Sequence, residues 1–230
     1  MKTIGLIGGL SWESSAIYYK ILNQRANAIL GGVHSCKSLM ISVDFGEIAK
    51  LQHEENWDKL AEIMIDSAQK LEKGGADFIV LCTNTMHKLS EIIENSINIP
   101  FLHIADATAE VIKETEIRKV GLLGTKFTME QGFISDRLIN KHGIQTIIPN
   151  EKQRNDIHNI IYNELVKGII NDDSRKIYFE IMEDLKQRGA EGIILGCTEI
   201  MLLVNKNNTN DVIFDTTEIH ALKAIQYANV

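Results

Sequence analysis

Short apolar runs alternate along this chain with longer segments in which apolar positions recur every three to four residues. Residues 2–7, 38–43, 78–81, 120–123, 192–195 and 212–214 read as strands: brief, rich in branched aliphatics and bounded by glycine or polar residues. Residues 11–28 read as a helix through Tyr18 and Ile21, and Leu60, Ile63, Met64, Ala68 and Leu71 lie at helical spacing within 57–71. Further helices are expected to start near Asn84 and just after Cys197. Asp215 followed by Glu218 has the spacing of a capping box and predicts the start of a last helix. Strands alternating with helices imply an α/β fold whose mainly parallel sheet is covered on both faces.

The pattern also contains an internal repeat. Ile4-Gly5-Leu6-Ile7-Gly8-Gly9 recurs 116 residues later as Val120-Gly121-Leu122-Leu123-Gly124-Thr125. Gly75-Ala76-Asp77-Phe78-Ile79-Val80-Leu81-Cys82-Thr83-Asn84 recurs 114 residues later as Gly189-Ala190-Glu191-Gly192-Ile193-Ile194-Leu195-Gly196-Cys197-Thr198. Buried strands resemble one another by chance, but two separate blocks at nearly one offset imply duplicated halves. The expected division is a first half-domain at 1–103, a second at 104–215, and a C-terminal helix at 216–230 packing back on the first. Ligands of open α/β sheets bind beyond the carboxyl ends of the strands. The active site is therefore expected in a cleft between the halves, where the matching positions Thr83 and Cys197 approach a bound molecule from opposite sides.

Composition narrows the partners. The 230 residues carry a formal net charge of −7 with no dense Lys/Arg tract, which argues against nucleic acid or an anionic membrane as partner. No apolar stretch is long enough to span a bilayer and the first strand begins almost at Met1, so the cytoplasm is the expected location. Three cysteines, an odd and sparse set, do not read as a disulfide framework. Neither CxxC nor HExxH is present, and the histidines are scattered, so no metal is expected.

Among the residues that carry chemistry, Cys197 stands out. It follows a strand and precedes an expected helix, whose unpaired N–H groups and partial positive charge favour a thiolate able to act as base or nucleophile. The competing reading is a buried small hydrophobe. Cys82 lies one residue before the position matching Cys197 and points the other way on an extended strand, so it reads as core, as does Cys36. Gly8-Gly9 with Ser11 and Ser14 forms a turn before a helix start suited to a small anion, with a carboxylate fitting better than a nucleotide because no full GxGxxG or P-loop pattern is present. Asn84, Thr85 and Thr198 sit at strand-to-helix turns, where they either cap helices or bind ligand. Glu199 either helps to deprotonate Cys197 or caps a helix, and its charge alone disfavours a thiolate. His87 reads as a packed or surface histidine. No lysine lies in a motif suited to a pyridoxal Schiff base.

These residues resemble the aspartate/glutamate racemase family, end to end from Lys2 to about Gln226. The resemblance rests on Gly-Gly-Leu-Ser-Trp-Glu-Ser at 8–14, Thr-Asn-Thr-Met-His at 83–87, Gly-Thr-Lys-Phe-Thr-Met-Glu at 124–130 and Gly-Cys-Thr-Glu at 196–199. It is strongest to the enterobacterial-type branch with L-aspartate/glutamate or broad amino-acid specificity. The resemblance implies two pseudo-symmetric Rossmann-like half-domains, a homodimer, no cofactor, and one cysteine per half exchanging the α-proton from opposite faces. Here Thr83 stands in place of the first-half cysteine and Cys197 keeps the second. A hydroxyl is a poor base near neutral pH, so turnover is expected to be asymmetric between enantiomers. The arginine that archaeal-type members carry near Val43-Asp44-Phe45 is missing, with Phe45 in its place. By analogy Lys167 matches a second cationic position, the alternative being a solvated helix-end lysine, and Gln52 is a weaker substrate contact. Ser11, Asn84, Thr85, Thr125, Thr198 and Glu199 complete the implied substrate-binding set. The implied substrate is aspartate or glutamate, with a neutral side chain such as that of homoserine also compatible. A cysteine-dependent decarboxylase or isomerase of a small diacid, and a binding protein with impaired catalysis, are the rival readings.

Overall fold

The computed structural model describes residues 1–229. The chain divides into two units, one of Met1–Ile104 with the segment from His220 onward, the other of Ala105–Ile219. In the first unit the order is β1 (Ile4–Gly8), α1 (Trp12–Leu30), β2 (Ser38–Ser42), α2 (Phe45–His53), α3 (Trp57–Lys73), β3 (Phe78–Leu81), a 3-10 turn (Thr85–Leu89), α4 (Ser90–Glu94) and β4 (Phe101–Leu102). α5 (Ile104–Lys113) leads into the second unit, with β5 (Lys119–Gly124), α6 (Lys126–Glu130), α7 (Ser135–His142), β6 (Gln145–Ile147) and α8 (Glu151–Asn163). A 3-10 turn (Leu165–Lys167), α9 (Asp172–Gln187), β7 (Gly192–Gly196), a 3-10 turn (Thr198–Leu202) and β8 (Ile213–Asp215) follow, and α10 (Thr216–Ala228) returns the chain to the first unit.

Each unit holds one all-parallel four-stranded sheet, ordered β2-β1-β3-β4 and β6-β5-β7-β8. The α/β class expected from the sequence is thus observed, and the repeat extends to register. Ile4 pairs with Phe78 and Ile7 with Leu81, while Val120 pairs with Gly192 and Leu123 with Leu195. These are the pairs that the two sequence offsets superpose. The turns entering β3 and β7 repeat as well. Gly75 and Gly189 both take φ +94°, a left-handed conformation that favours glycine. Ala76 N–H donates to Leu71 O at 3.0 Å and Ala190 N–H to Leu185 O at 2.9 Å.

Strand alternation decides which side chains face which layer. In β3 Phe78 and Val80, with Cys82 after them, join a core with Tyr18 and Leu22 of α1 and Ala221, Ala224 and Ile225 of α10. Ile79 and Leu81 face the opposite core, with Ile48 of α2 and Leu60, Met64, Ala68 and Leu71 of α3. In the second unit Leu123, Ile193 and Leu195 pack with Ile157 and Ile161 of α8 and Tyr178, Met182 and Leu185 of α9. Cys82 is fully buried, and burial pushes its thiol far above the ordinary range. Burial likewise raises Cys36 to about 11.

Two expectations need correction. The segments after Thr83 and Cys197 are five-residue 3-10 turns rather than α-helices. Such short turns present local N–H groups but sum few peptide dipoles, so the macrodipole expected at Cys197 is small. At the last helix, Asp215 Oδ1 accepts from the N–H groups of Thr217 (2.9 Å) and Glu218 (3.2 Å), but the Glu218 carboxylate meets Lys206 at 3.4 Å, leaving half of the expected capping box. A reciprocal box occurs instead between Asn150 and Gln153 at α8.

Candidate active site

Three loops of the first unit follow the carboxyl ends of β1, β2 and β3. After β1, Gly9 takes φ +79° where a Cβ would collide with the backbone of Val43, so only glycine lets the chain turn here. Ser15 Oγ accepts from Gly9 N–H at 2.8 Å and donates to Ser11 O at 3.0 Å, fixing the turn. Ser11 caps α1, accepting from Ser14 N–H at 3.3 Å, and their hydroxyls lie 3.0 Å apart. After β2, Asp44 caps α2 through Gly46 N–H at 3.0 Å. That helix places the buried Gln52 against the β3 turn, where its Nε2 donates to Met86 Sδ at 3.1 Å. After β3 come Thr83, Asn84 and Thr85, all buried. Asn84 precedes the 3-10 turn but its side chain forms no cap.

The second unit repeats the first motif with other residues. Thr125 caps α6 by accepting from Thr128 N–H at 3.3 Å, and the two hydroxyls lie 3.2 Å apart. Ser11/Ser14 and Thr125/Thr128 are therefore equivalent hydroxyl pairs, 114 residues apart. Lys126 N–H donates to His158 Nδ1 at 3.3 Å, which brings α8 to the same turn.

At the end of β7, Cys197 is half-buried and packs on the core that contains Leu195, Ile200 and Tyr178. Its Sγ donates to Glu199 Oε2 at 2.9 Å, and Thr198 Oγ1 donates to the same oxygen at 2.7 Å. Burial pushes the thiol well above its ordinary range, and the charge and hydrogen bond of Glu199 push it further. The backbone N–H groups of Glu199 and Thr198 pull the other way and are outweighed. The resting group is therefore a thiol, which corrects the expectation of a thiolate stabilised by a helix start. Chemically the pair is a proton donor joined to a carboxylate that can take its proton.

The 3-10 turn bearing Lys167 packs against the turn after Cys197. Lys167 is exposed and its ammonium forms no ion pair or hydrogen bond among the described residues. The structure thus gathers Ser11, Gln52, Thr83, Asn84 and Thr85 within one unit, and Thr125, Lys167, Cys197, Thr198 and Glu199 within the other. Sequence reasoning missed Tyr162 and Tyr178, whose phenols are raised mainly by burial, with the nearby Glu199 carboxylate adding to it. Tyr178 is fully buried and its hydroxyl has no hydrogen-bond partner among the described residues. Tyr162 lies on α8 and Tyr178 on α9, and no local motif marks either of them. No group of three or more His, Cys, Asp or Glu side chains suited to a metal ion occurs among the described residues, and no helix among them is long and apolar enough to cross a membrane.

The family model described as Asp/Glu/Hydantoin racemase matches residues 7–224. The chain is 28% identical over 164 residues to the broad specificity amino-acid racemase RacX of Bacillus subtilis (strain 168), covering 70% of this chain and 68% of that protein. Among solved structures it is similar to a Yersinia pestis chain assigned as an Asp/Glu racemase, at 50% identity and TM-score 0.93 over 100% of both chains. It is also similar to an aspartate racemase homologue from Pyrococcus horikoshii OT3, at 33% identity and TM-score 0.86 over 100% of both chains.

Proposed function

The chain belongs to the Asp/Glu/hydantoin racemase family and is an enzyme of the isomerase class, and on that premise we propose that it interconverts L- and D-aspartate or glutamate without a cofactor, using Cys197 on one face of Cα and Thr83 on the other. The observation that carries this reading is the hydrogen bond from Cys197 Sγ to Glu199 at the end of β7, at the position that Thr83 matches after β3.

In one direction the α-proton leaves through the Thr83 hydroxyl to a water, the C–H electron pair stays on carbon, and the Cys197 thiol delivers its proton to the opposite face of Cα, the thiolate then regaining a proton from solvent. In the other, the thiol proton passes first to Glu199 Oε2. The sulfur then takes the α-proton, the C–H electron pair stays on carbon and spreads into the α-carboxylate, and the Thr83 hydroxyl supplies a proton to the opposite face and regains one through water from solvent, into which Glu199 releases the proton it held. Backbone N–H groups at the turns after β3 and β7, fixed before substrate arrives, suit the charge that develops on the carboxylate. The hydroxyl pairs at Ser11 and Thr125, with Gln52, Asn84, Thr85 and Thr198, supply neutral hydrogen bonds to the amino acid. Lys167 is the cation for a distal carboxylate. With Phe45 where an arginine clamp would stand, the hold on that carboxylate is weak, so a neutral side chain such as that of homoserine is also accepted.

Incubation of purified protein with each single enantiomer of aspartate and glutamate, without pyridoxal phosphate, followed by chiral chromatography, tests the reading. The mirror-image amino acid should accumulate with wild-type protein and not with Cys197→Ala. Inversion at the wild-type rate in that variant, or none with any amino acid in the wild type, contradicts the proposal.

A further inference from the structure

His87 closes the Thr-Asn-Thr-Met-His block, yet the proposed reaction gives it no task. It is 1% exposed, and both of its ring nitrogens are used. Nδ1 lies 2.6 Å from Thr83 O, and Ile104 N–H donates to Nε2 at 3.2 Å. A carbonyl only accepts and a backbone N–H only donates, so the ring is neutral with its hydrogen on Nδ1. Ile104 is the last residue before the chain leaves the first unit, and His220 is the first after it returns. His220 Nε2 donates to Leu102 O at 2.8 Å, and its Nδ1 accepts from Tyr18 at 2.9 Å. The His87 ring meets those of His103 and His220 edge-on, with centroids 4.6 and 5.8 Å away. The carbonyl of Thr83 is thus tied through buried, singly tautomeric rings to the two segments at which the chain leaves and re-enters the unit. A satisfied polar network in a dry interior has few alternative arrangements and fixes its members closely. The second repeat has no counterpart. Met201 stands where His87 would, and Cys197 O instead accepts from Ile200 N–H at 3.2 Å. There the reacting atom is held directly by Glu199.

We propose that His87 is a positioning residue for the Thr83 face of the reaction: its Nδ1–H locks the Thr83 peptide to the segment at Ile104 and so sets the direction of the Thr83 hydroxyl. The proposal rests on the racemase reading. Holding the peptide plane fixes the Cα–Cβ bond of Thr83, and a hydroxyl that must reach one face of Cα tolerates little displacement.

Two substitutions separate the two hydrogen bonds. In His87→Asn the amide nitrogen falls near the place of Nδ1 and can still donate to Thr83 O, whereas in His87→Gln the amide falls near Nε2 and keeps only the Ile104 bond. In deuterium oxide, the ratio of inversion to α-proton wash-out without inversion is read for each variant. His87→Gln should lower that ratio about tenfold or more with KM little changed, because Cys197 still exchanges while Thr83 is misplaced, and His87→Asn should stay within about threefold of wild type. The ratio is independent of the folded fraction, so general destabilisation does not move it. An unchanged ratio in His87→Gln, or an equal fall in His87→Asn, overturns the proposal. Should neither variant fold, long-range nitrogen-15 NMR of the wild-type imidazole decides: a hydrogen on Nδ1 is expected, and one on Nε2 overturns the clamp. That readout needs no turnover, so a wild type inert toward amino acids would remove the racemase reading while the clamp stands or falls on its tautomer.

Discussion

The Cys197–Glu199 pair sets the proton inventory of the proposed reaction. Two local N–H groups favour a thiolate, but burial, the neighbouring charge and a 2.9 Å hydrogen bond favour the thiol and win. Replacing Glu199 by Gln removes both the charge and the proton acceptor. Cys197 should then alkylate faster at pH 8, while racemisation falls by about a hundredfold, the scale of losing one acid–base group. Slower alkylation with unchanged turnover would show that Glu199 only packs. The cysteines also make a pH claim. Cys36 is raised to about 11, and Cys82 and Cys197 are raised as well. A folded pKa above the unfolded one, ~8.5 for a thiol, means that the stabilisation is complete below that pH and is lost as pH rises toward the folded value. The buried phenols of Tyr162 and Tyr178 act in the same sense at still higher pH. The melting temperature should therefore fall steadily from pH 8.5 to 11, less steeply in Cys82→Ala; a flat profile would contradict the burial of these thiols.

At the scale of elements, α5 and α7 are joined by one carboxylate with three basic partners. Asp106 accepts from Arg137 (2.8 and 2.7 Å), Lys141 (2.6 Å) and His142 (2.8 Å). Burial alone would raise its pKa, but these hydrogen bonds outweigh it and hold the carboxyl well below the ordinary range. The stability this contributes is full above the unfolded value of ~3.9 and is lost as pH falls toward the depressed folded value. Asp106→Ala leaves the Arg137 and His142 side chains partly buried and facing a second cation, and should cost about 2 kcal/mol, less than a fully buried pair because Lys141 is half-exposed. Urea denaturation at pH 7 checks this, and an unchanged midpoint would contradict it. None of this network was legible in sequence, since Asp106 and its partners are some thirty residues apart on two separate helices and no local motif links them. Six of the eight strands were legible: the central β1, β3, β5 and β7 are buried on both faces and read as apolar runs, and the edge strands β2 and β8 fall on the expected runs 38–43 and 212–214. The edge strands β4 and β6 hold two and three residues and carry no such run. The turns after Thr83 and Cys197 were placed at the right residues, but their 3-10 geometry was not visible, since five-residue segments carry too little periodicity to separate the two helix types.

At the scale of the whole molecule, duplication explains the arrangement of the candidate residues. Equal strand order, equal register and matched turns place Ser11 with Thr125 and Thr83 with Cys197 at equivalent points of two sheets. What differs between the repeats is the chemistry at those points. One offers a thiol coupled to a carboxylate, and the other a hydroxyl whose peptide a histidine holds. A reaction whose substrate and product are mirror images suits such a pair, and the difference should appear as unequal kcat for the two enantiomers. Because the equilibrium constant of a racemisation is one, KM must differ in the same proportion. The measurement that tests this most directly is proton NMR of L- and D-aspartate and L- and D-glutamate in deuterium oxide with the wild-type protein. Loss of the α-proton signal from both enantiomers of one amino acid, with unequal maximal rates and deuterium in the inverted product, is expected. Retention of the α-proton in every one of the four would contradict proton transfer at Cα by Cys197 and Thr83.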